Sequence, residues 1–126
     1  MEATIPPCPF CAADGDVVLR NSHAYARYDK YPVTPGHLLL IPFRHVASYF
    51  DTTDEERAAL LQLLHEAKAL LDDSHAPTGY NIGINVGEVA GQTIPHVHMH
   101  LIPRYQGDVA YPRGGVRGVI PARQSY

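Results

Sequence analysis

A chain of 126 residues with 45% hydrophobic and 18% charged residues is long enough to bury a core as one domain over residues 1–126 and too apolar to stay disordered. Its formal charge of −3 gives no general attraction to nucleic acid or anionic membranes, so phosphate must be met by a local site and small phosphorylated ligands suit it better than polymers. No apolar run approaches the roughly 18 residues that span a bilayer, and residues 1–7 lack the basic and apolar stretches of a secretory signal, so a cytoplasmic protein is expected.

In chain order, the first feature is Cys8-Pro9-Phe10-Cys11, which contains both cysteines of the sequence. With no others to build a disulfide framework, this spacing reads as reduced thiols on a metal, with a redox motif as the alternative. Residues 16–20 and 23–28 read as two short strands joined by Asn21-Ser22. Residues 32–36 break the pattern, and 37–41 form an apolar run closed by Pro42, a central strand. A helix is expected from about residue 53 to 73. Thr53-Asp54-Glu55-Glu56 has the capping-box pattern, and Leu60, Leu63, Leu64, Ala67, Leu70 and Leu71 form one apolar stripe.

Residues 80–85 alternate with period two and lead into a small-residue loop at 86–93. From 95 to 102 the period is again two, which puts His96, His98 and His100 on one face of a strand and Val97, Met99 and Leu101 on the other. The tail from 103 to 126 carries four glycines, three prolines and four arginines without periodicity and reads as a loop-rich arm.

Imidazole titrates near neutrality, so one ring can attack phosphorus while a neighbour donates a proton or hydrogen bond. Alternate residues on a strand lie roughly 6.5 to 7 Å apart, a spacing that lets three rings line a phosphate without touching one another. A three-histidine metal site is the competing reading.

The run His96-Val97-His98-Met99-His100-Leu101-Ile102 resembles the motif of the histidine triad (HIT) family. Pro35-Gly36-His37-Leu38-Leu39-Leu40 and the stretch from Asn85 to Gln92-Thr93 resemble two further blocks of that family, so the likeness covers nearly the whole chain. It implies an α+β fold, with a mainly antiparallel five-stranded sheet, one long helix and an N-terminal zinc knuckle in residues 1–15. It implies that His98 is a nucleophile forming a covalent nucleotidyl-histidine and that His100 faces the phosphate oxygens or leaving group. Asn85, Gly91, Gln92 and Thr93 would surround the α-phosphate.

By the same resemblance Asp29 would hold the ribose hydroxyls, with a turn-forming aspartate as the rival reading. His37 would support the triad, and Tyr28, Lys30 and Leu39 would border the base. Zinc-bearing members of the family imply a closed, structural site of Cys8, Cys11, His45 and His96, with no organic cofactor. That assignment leaves His98 and His100 for phosphate chemistry. The expected activity is hydrolysis or transfer at a nucleotide α-phosphate by a homodimer. Its ligand is a purine nucleotide or dinucleoside polyphosphate, which the tail from Tyr111 to Ile120 favours by its likeness to bacterial members. Phosphoramidate hydrolysis, or nucleotide binding with little turnover, are the alternatives.

Overall fold

The computed structural model describes residues 8–13 and 15–126. The expectation for residues 1–7, and with it the start of the knuckle segment, lies outside them. Strands β1 (Val17–Arg20) and β2 (Ala24–Tyr28) form an antiparallel hairpin. Asn21 makes its turn: Oδ1 accepts from the backbone N–H groups of His23 and Ala24, and Nδ2 donates to the Ala59 carbonyl, an Asx turn tied to the helix.

β3 (Leu38–Pro42) pairs with β2 along its whole length, and β5 (Met99–Arg104) lies between β3 and β4 (Gly79–Ile84). The result is one antiparallel sheet in the order β1-β2-β3-β5-β4. The expected α+β fold with five strands and one long helix is what forms.

α1 (Asp54–Ser74) begins at an N-cap where the Thr53 hydroxyl accepts from the Glu56 N–H while the Glu56 carboxylate accepts from the Thr53 N–H. This capping box satisfies two donors that the helix cannot pair internally. Its stripe of Ala59, Leu60, Leu63, Ala67 and Leu71 is buried against Ala24, Ala26, Leu38, Leu40, Met99 and Leu101. Truncating a fully buried member such as Leu63 to alanine costs roughly 2–5 kcal/mol.

β3 reads as an unbroken apolar run because it is covered on both faces. Leu38 and Leu40 meet the helix, while Leu39 and Ile41 join Phe10 and Tyr25 in a second cluster on the opposite face. The helix fills one side, and on the other this second cluster shares the face with His100, which pairs with Leu39 across β3 and β5.

Three expectations change. The strand expected over 95–102 begins only at Met99, because the β3 ladder with β5 covers Leu38–Leu40 and the last β4 pair is Ile84 with Met99. Residues 95–98 have no ladder to join, and the Val97 N–H donates to the Val46 carbonyl instead. Tyr28 packs on the helix side, with its ring 6.3 Å from His75, so it does not border the opposite face. The arm is less loose than its composition implies: β5 continues to Arg104, and the arm contains two short 3-10 helices, Gly115–Val119 and Pro121–Arg123.

Candidate active site and metal centre

The knuckle turn closes with the Cys11 N–H donating to the Cys8 carbonyl, and both sulfurs approach His45 and His96. Cys8 Sγ is 3.3 Å from His96 Nδ1, Cys11 Sγ is 3.2 Å from His45 Nδ1, and the two Nδ1 atoms are 3.3 Å apart. All four donor atoms lie within 4.8 Å of one another. Ligands of a tetrahedral ion with bonds of 2.0–2.3 Å stand roughly 3.3–3.8 Å apart, so the set fits such a cation. His96 Nε2 donates to the Pro42 carbonyl at 2.7 Å, which leaves Nδ1 bare for a metal.

Burial, and then the neighbouring His45 and His98, lower the His96 pKa against the opposing Pro42 hydrogen bond; the ring is held neutral, the form that ligates. Desolvation and the Cys8 thiol raise Cys11, so a cation is what would draw off its proton. The neighbour of His45 is also fixed: Arg44 donates through Nε and Nη2 to the buried Glu56 carboxylate of the capping box.

His98 turns its ring differently. Its Nδ1 lies 2.9 Å from the His96 carbonyl, which can only accept, so Nδ1 carries the proton and Nε2 of the neutral ring is bare. Among the described residues His98 joins no cluster of metal-ligating atoms, and a metal held by all three triad histidines is excluded by the separate commitments of His96 and His98. The rings of His98 and His100 also touch, with centroids 5.1 Å apart. The expectation of rings out of mutual contact fails because His98 precedes the extended strand.

His100 is assigned through two hydrogen bonds. The Val33 backbone N–H donates to His37 Nδ1 at 3.2 Å, so the proton of neutral His37 is on Nε2 and is donated to His100 Nδ1 at 2.9 Å. His100 therefore carries its own proton on Nε2. Asp29 Oδ2 stands 3.5 Å from His37 Nε2. Asp29, His37 and His100 are near enough to suggest a second metal set, but the Val33 donor makes the His37–His100 contact a hydrogen bond. Burial, then His98 and His37, push the His100 pKa down to about 4, and burial lowers His37 despite Asp29.

A cavity of about 260 Å³ opens beside this row, lined by Phe10, Asp29, Lys30, Tyr31, Leu39 and Ile94 among others. It brings together the expected Asp29, Lys30 and Leu39. Asp29 Oδ1 accepts from the Tyr31 N–H at 2.9 Å, so the turn-forming role is real, while Oδ2 faces His37 with lone-pair capacity for a further donor.

Phe10 was missed by sequence reasoning. Lying between the two knuckle cysteines, its ring packs 5.0 Å from that of His98, and its carbonyl accepts from the Tyr25 hydroxyl at 2.6 Å. An apolar residue inside a metal knuckle has to bury somewhere, and that was the available signal.

In the loop before the triad, Gln92 holds the chain together. Its Nε2 donates to the Ala47 and Ile94 carbonyls and its Oε1 accepts from the Gly87 N–H. This brace occupies both ends of the amide. Gly91 has φ +98°, and a Cβ there would lie 3.9 Å from Asn85 Nδ2, so the backbone of 91 and the amide of 85 are neighbours. Thr93 is exposed.

Residues 12–107 match the model of the HIT domain. The chain belongs to the HIT family. A HIT relative named AP-4-A phosphorylase, from Mycobacterium tuberculosis, is 37% identical over 99 residues, covering 78% of this chain and 51% of its own. The asymmetrical bis(5′-nucleosyl)-tetraphosphatase of Schizosaccharomyces pombe is 40% identical over 92 residues, covering 73% of this chain and 50% of its own. The chain thus spans about half the length of these two relatives. A zinc-bound histidine triad family protein of Mycobacterium smegmatis superposes with a TM-score of 0.72 at 32% identity, covering 80% of this chain and 77% of that one.

Proposed function

We propose that this HIT protein transfers a nucleotidyl group from a dinucleoside polyphosphate to His98 and then to water. The observation that carries the reading is the pair of opposite tautomers: bare Nε2 on His98, held by the His96 carbonyl, beside protonated Nε2 on His100, held by His37. One atom is suited to attack and the other to steady departing charge.

In the first step His98 Nε2 forms a bond to the α-phosphorus as the phosphorus–oxygen bond to the rest of the polyphosphate breaks, and that oxygen leaves as an anion hydrogen-bonded by His100. In the second, water bonds to phosphorus, the nitrogen–phosphorus bond breaks, His98 is restored and a proton is released with the nucleotide. The nucleoside occupies the cavity of Asp29 and Leu39, with Asp29 Oδ2 accepting from a ribose hydroxyl and Phe10 against the base. Asn85 and the Gly91 backbone meet the α-phosphate; Thr93 completes that cradle, and Gln92 holds it in shape. The names of the two dinucleotide-cleaving relatives favour a polyphosphate over a phosphoramidate.

Zinc on Cys8, Cys11, His45 and His96 would supply a rigid cross-link and no open coordination position. Its thiols need a reducing compartment, which supports a cytoplasmic location. β4 is an edge strand of the sheet with Ile82 47% exposed, and we assign that edge to pairing with a second copy in a homodimer.

The deciding experiment is mass spectrometry of acid-quenched protein after mixing with diadenosine tetraphosphate. Wild type should carry an adenylyl group that His98→Ala lacks. Adenylylation surviving in that variant removes the nucleophile from this reading, and rapid adenylylation without steady-state turnover points to a nucleotide-binding regulator.

A further inference from the structure

The register of the sheet sets Arg27, Leu39 and His100 directly opposite one another on β2, β3 and β5. Their neighbours in sequence, Ala26, Tyr28, Leu38, Leu40, Met99 and Leu101, all pack on the helix side, so these three share the other face. Two strand spacings of about 4.8 Å separate Arg27 from His100. A nucleotide with its phosphorus at the triad can therefore lay its ribose and base across β3 towards β2. The cavity of about 260 Å³ occupies that stretch, with Phe10, Leu39 and Ile94 in its apolar lining and Arg27, Asp29, Lys30 and Tyr31 as its polar side chains.

The polar lining is one-sided. Guanidinium and ammonium groups carry N–H donors and no acceptor. Arg27 is 4% exposed and has contacts within the protein. Lys68, the chain's other lysine, is paired with Asp72, whereas among the described residues the Lys30 ammonium has no hydrogen bond or ion pair. The cavity's carboxylate is already engaged: Asp29 Oδ1 accepts from the Tyr31 N–H and Oδ2 faces His37. Tyr31 is 85% exposed, so water serves its hydroxyl. The edge of a base in this cavity thus meets a cationic donor in Lys30, with a second cation, Arg27, in the same wall.

That lining discriminates between purines. Adenine sets an amino donor, N6, beside the N7 acceptor, whereas guanine sets two acceptors, O6 and N7, side by side. Hypoxanthine has the same pair. An ammonium facing N6 meets hydrogens it cannot bond, and facing O6 it meets an oxygen that accepts. We infer that Lys30 makes this cavity selective for a 6-oxopurine nucleotide over an adenine nucleotide, an inference resting on the function proposed above, which places the transferred nucleoside here. Lys30 donates to the O6 and N7 edge, the flat faces lie against Phe10 and Leu39, and Asp29 holds the ribose. The positive charge of Arg27 favours the same carbonyl edge. Because these contacts are remote from the phosphorus, they are the same before and during reaction, so the preference belongs in Kd and KM and not in kcat.

The test is calorimetric titration of the protein with GMP, IMP and AMP, beside steady-state kinetics with diguanosine and diadenosine tetraphosphates. GMP and IMP are expected to bind at least about fivefold tighter than AMP, as a hydrogen-bonded base edge allows, with the same preference in kcat/KM carried by KM. Lys30→Met, at an exposed position and with Arg27 left in place, should bring the three affinities to within about twofold by weakening GMP and IMP more than AMP. Equal binding of the three by wild type overturns the inference. So does IMP binding as weakly as AMP, which would assign the preference to the 2-amino group of guanine. Lys30→Met weakening all three alike would make Lys30 a phosphate contact and overturn it too. A nucleotidyl adduct on His98 without base preference brings down the selectivity alone, whereas no adduct from either dinucleotide brings down the proposed function and the selectivity with it.

Discussion

The two ends of the histidine run are spent in opposite ways. At His96 the ring is buried, Nε2 is bound to the Pro42 carbonyl, and Nδ1 converges with His45 and two sulfurs. At His98 and His100 one nitrogen of each ring is fixed inside the protein and the other is left over. Residues two apart in a repeating motif thus have unlike chemistry because different partners reach them: the Pro42 carbonyl, the His96 carbonyl and the His37 ring. The join between the two ends is the His96 carbonyl, which belongs to a residue of the metal set yet fixes the tautomer of His98. Under the proposed function, metal binding and attack on phosphorus would be divided between neighbours without either being independent of the other.

The largest expected effects separate the two ends. His98→Ala should reduce adenylyl transfer on the order of 10⁴-fold or more, as loss of a nucleophile does, while metal content by atomic emission stays at wild-type level. Cys8→Ser should do the reverse in kind. It should lose bound metal and lower stability by about 3 kcal/mol in denaturant titration, since a structural site contributes folding energy directly, while adenylylation stays measurably above that of His98→Ala. Equal metal content in the two variants would erase the division.

The motif itself was legible because its residue types carry the chemistry, and the helix and sheet were legible because α1 and the strands follow simple periods. What could not be read was where the alternation stops being a strand. That depended on β3 and β4 running out of partners at Leu40 and Ile84, a tertiary fact invisible in residues 95–102. Tyr28 failed similarly: the family resemblance set it at the base, but its register placed it under the helix. The arm gave no period to follow, because its shape comes from Gly114, which tolerates contact with the Gln124 carbonyl, and from Arg117, which donates to the Arg123 and Gln124 carbonyls. Phe10 was hidden by the stronger signal of its flanking cysteines.

A smaller effect tests the phosphate end through pH. Free imidazole titrates near 6.5, whereas burial, then His98 and His37, hold His100 in the folded protein at about 4. Between these values the unfolded chain binds a proton that the folded chain does not, so stability falls as pH is lowered through that window and this contribution levels off below about 4. Above about 6.5 His100 contributes no pH dependence. Urea midpoints at pH 7.5 and pH 5 should therefore differ less in His100→Gln than in wild type. An unchanged difference would mean that this ring is not held neutral by its surroundings.

The smallest effect reaches the metal end from a distance. Thr53→Ala removes the hydroxyl that caps α1, a loss of about 1 kcal/mol. Glu56 then keeps its bonds to Arg44 and to the Thr53 N–H position but loses the reciprocal half of the box. Because Arg44 adjoins His45, loosening here should be felt at the knuckle before it is felt at His98. In competition with a chelator the variant should release metal faster than wild type, with adenylylation of His98 unchanged while metal remains bound. If metal release is unaltered although the denaturation midpoint falls, the helix start and the knuckle are energetically separate, and His45 is positioned by β3 alone.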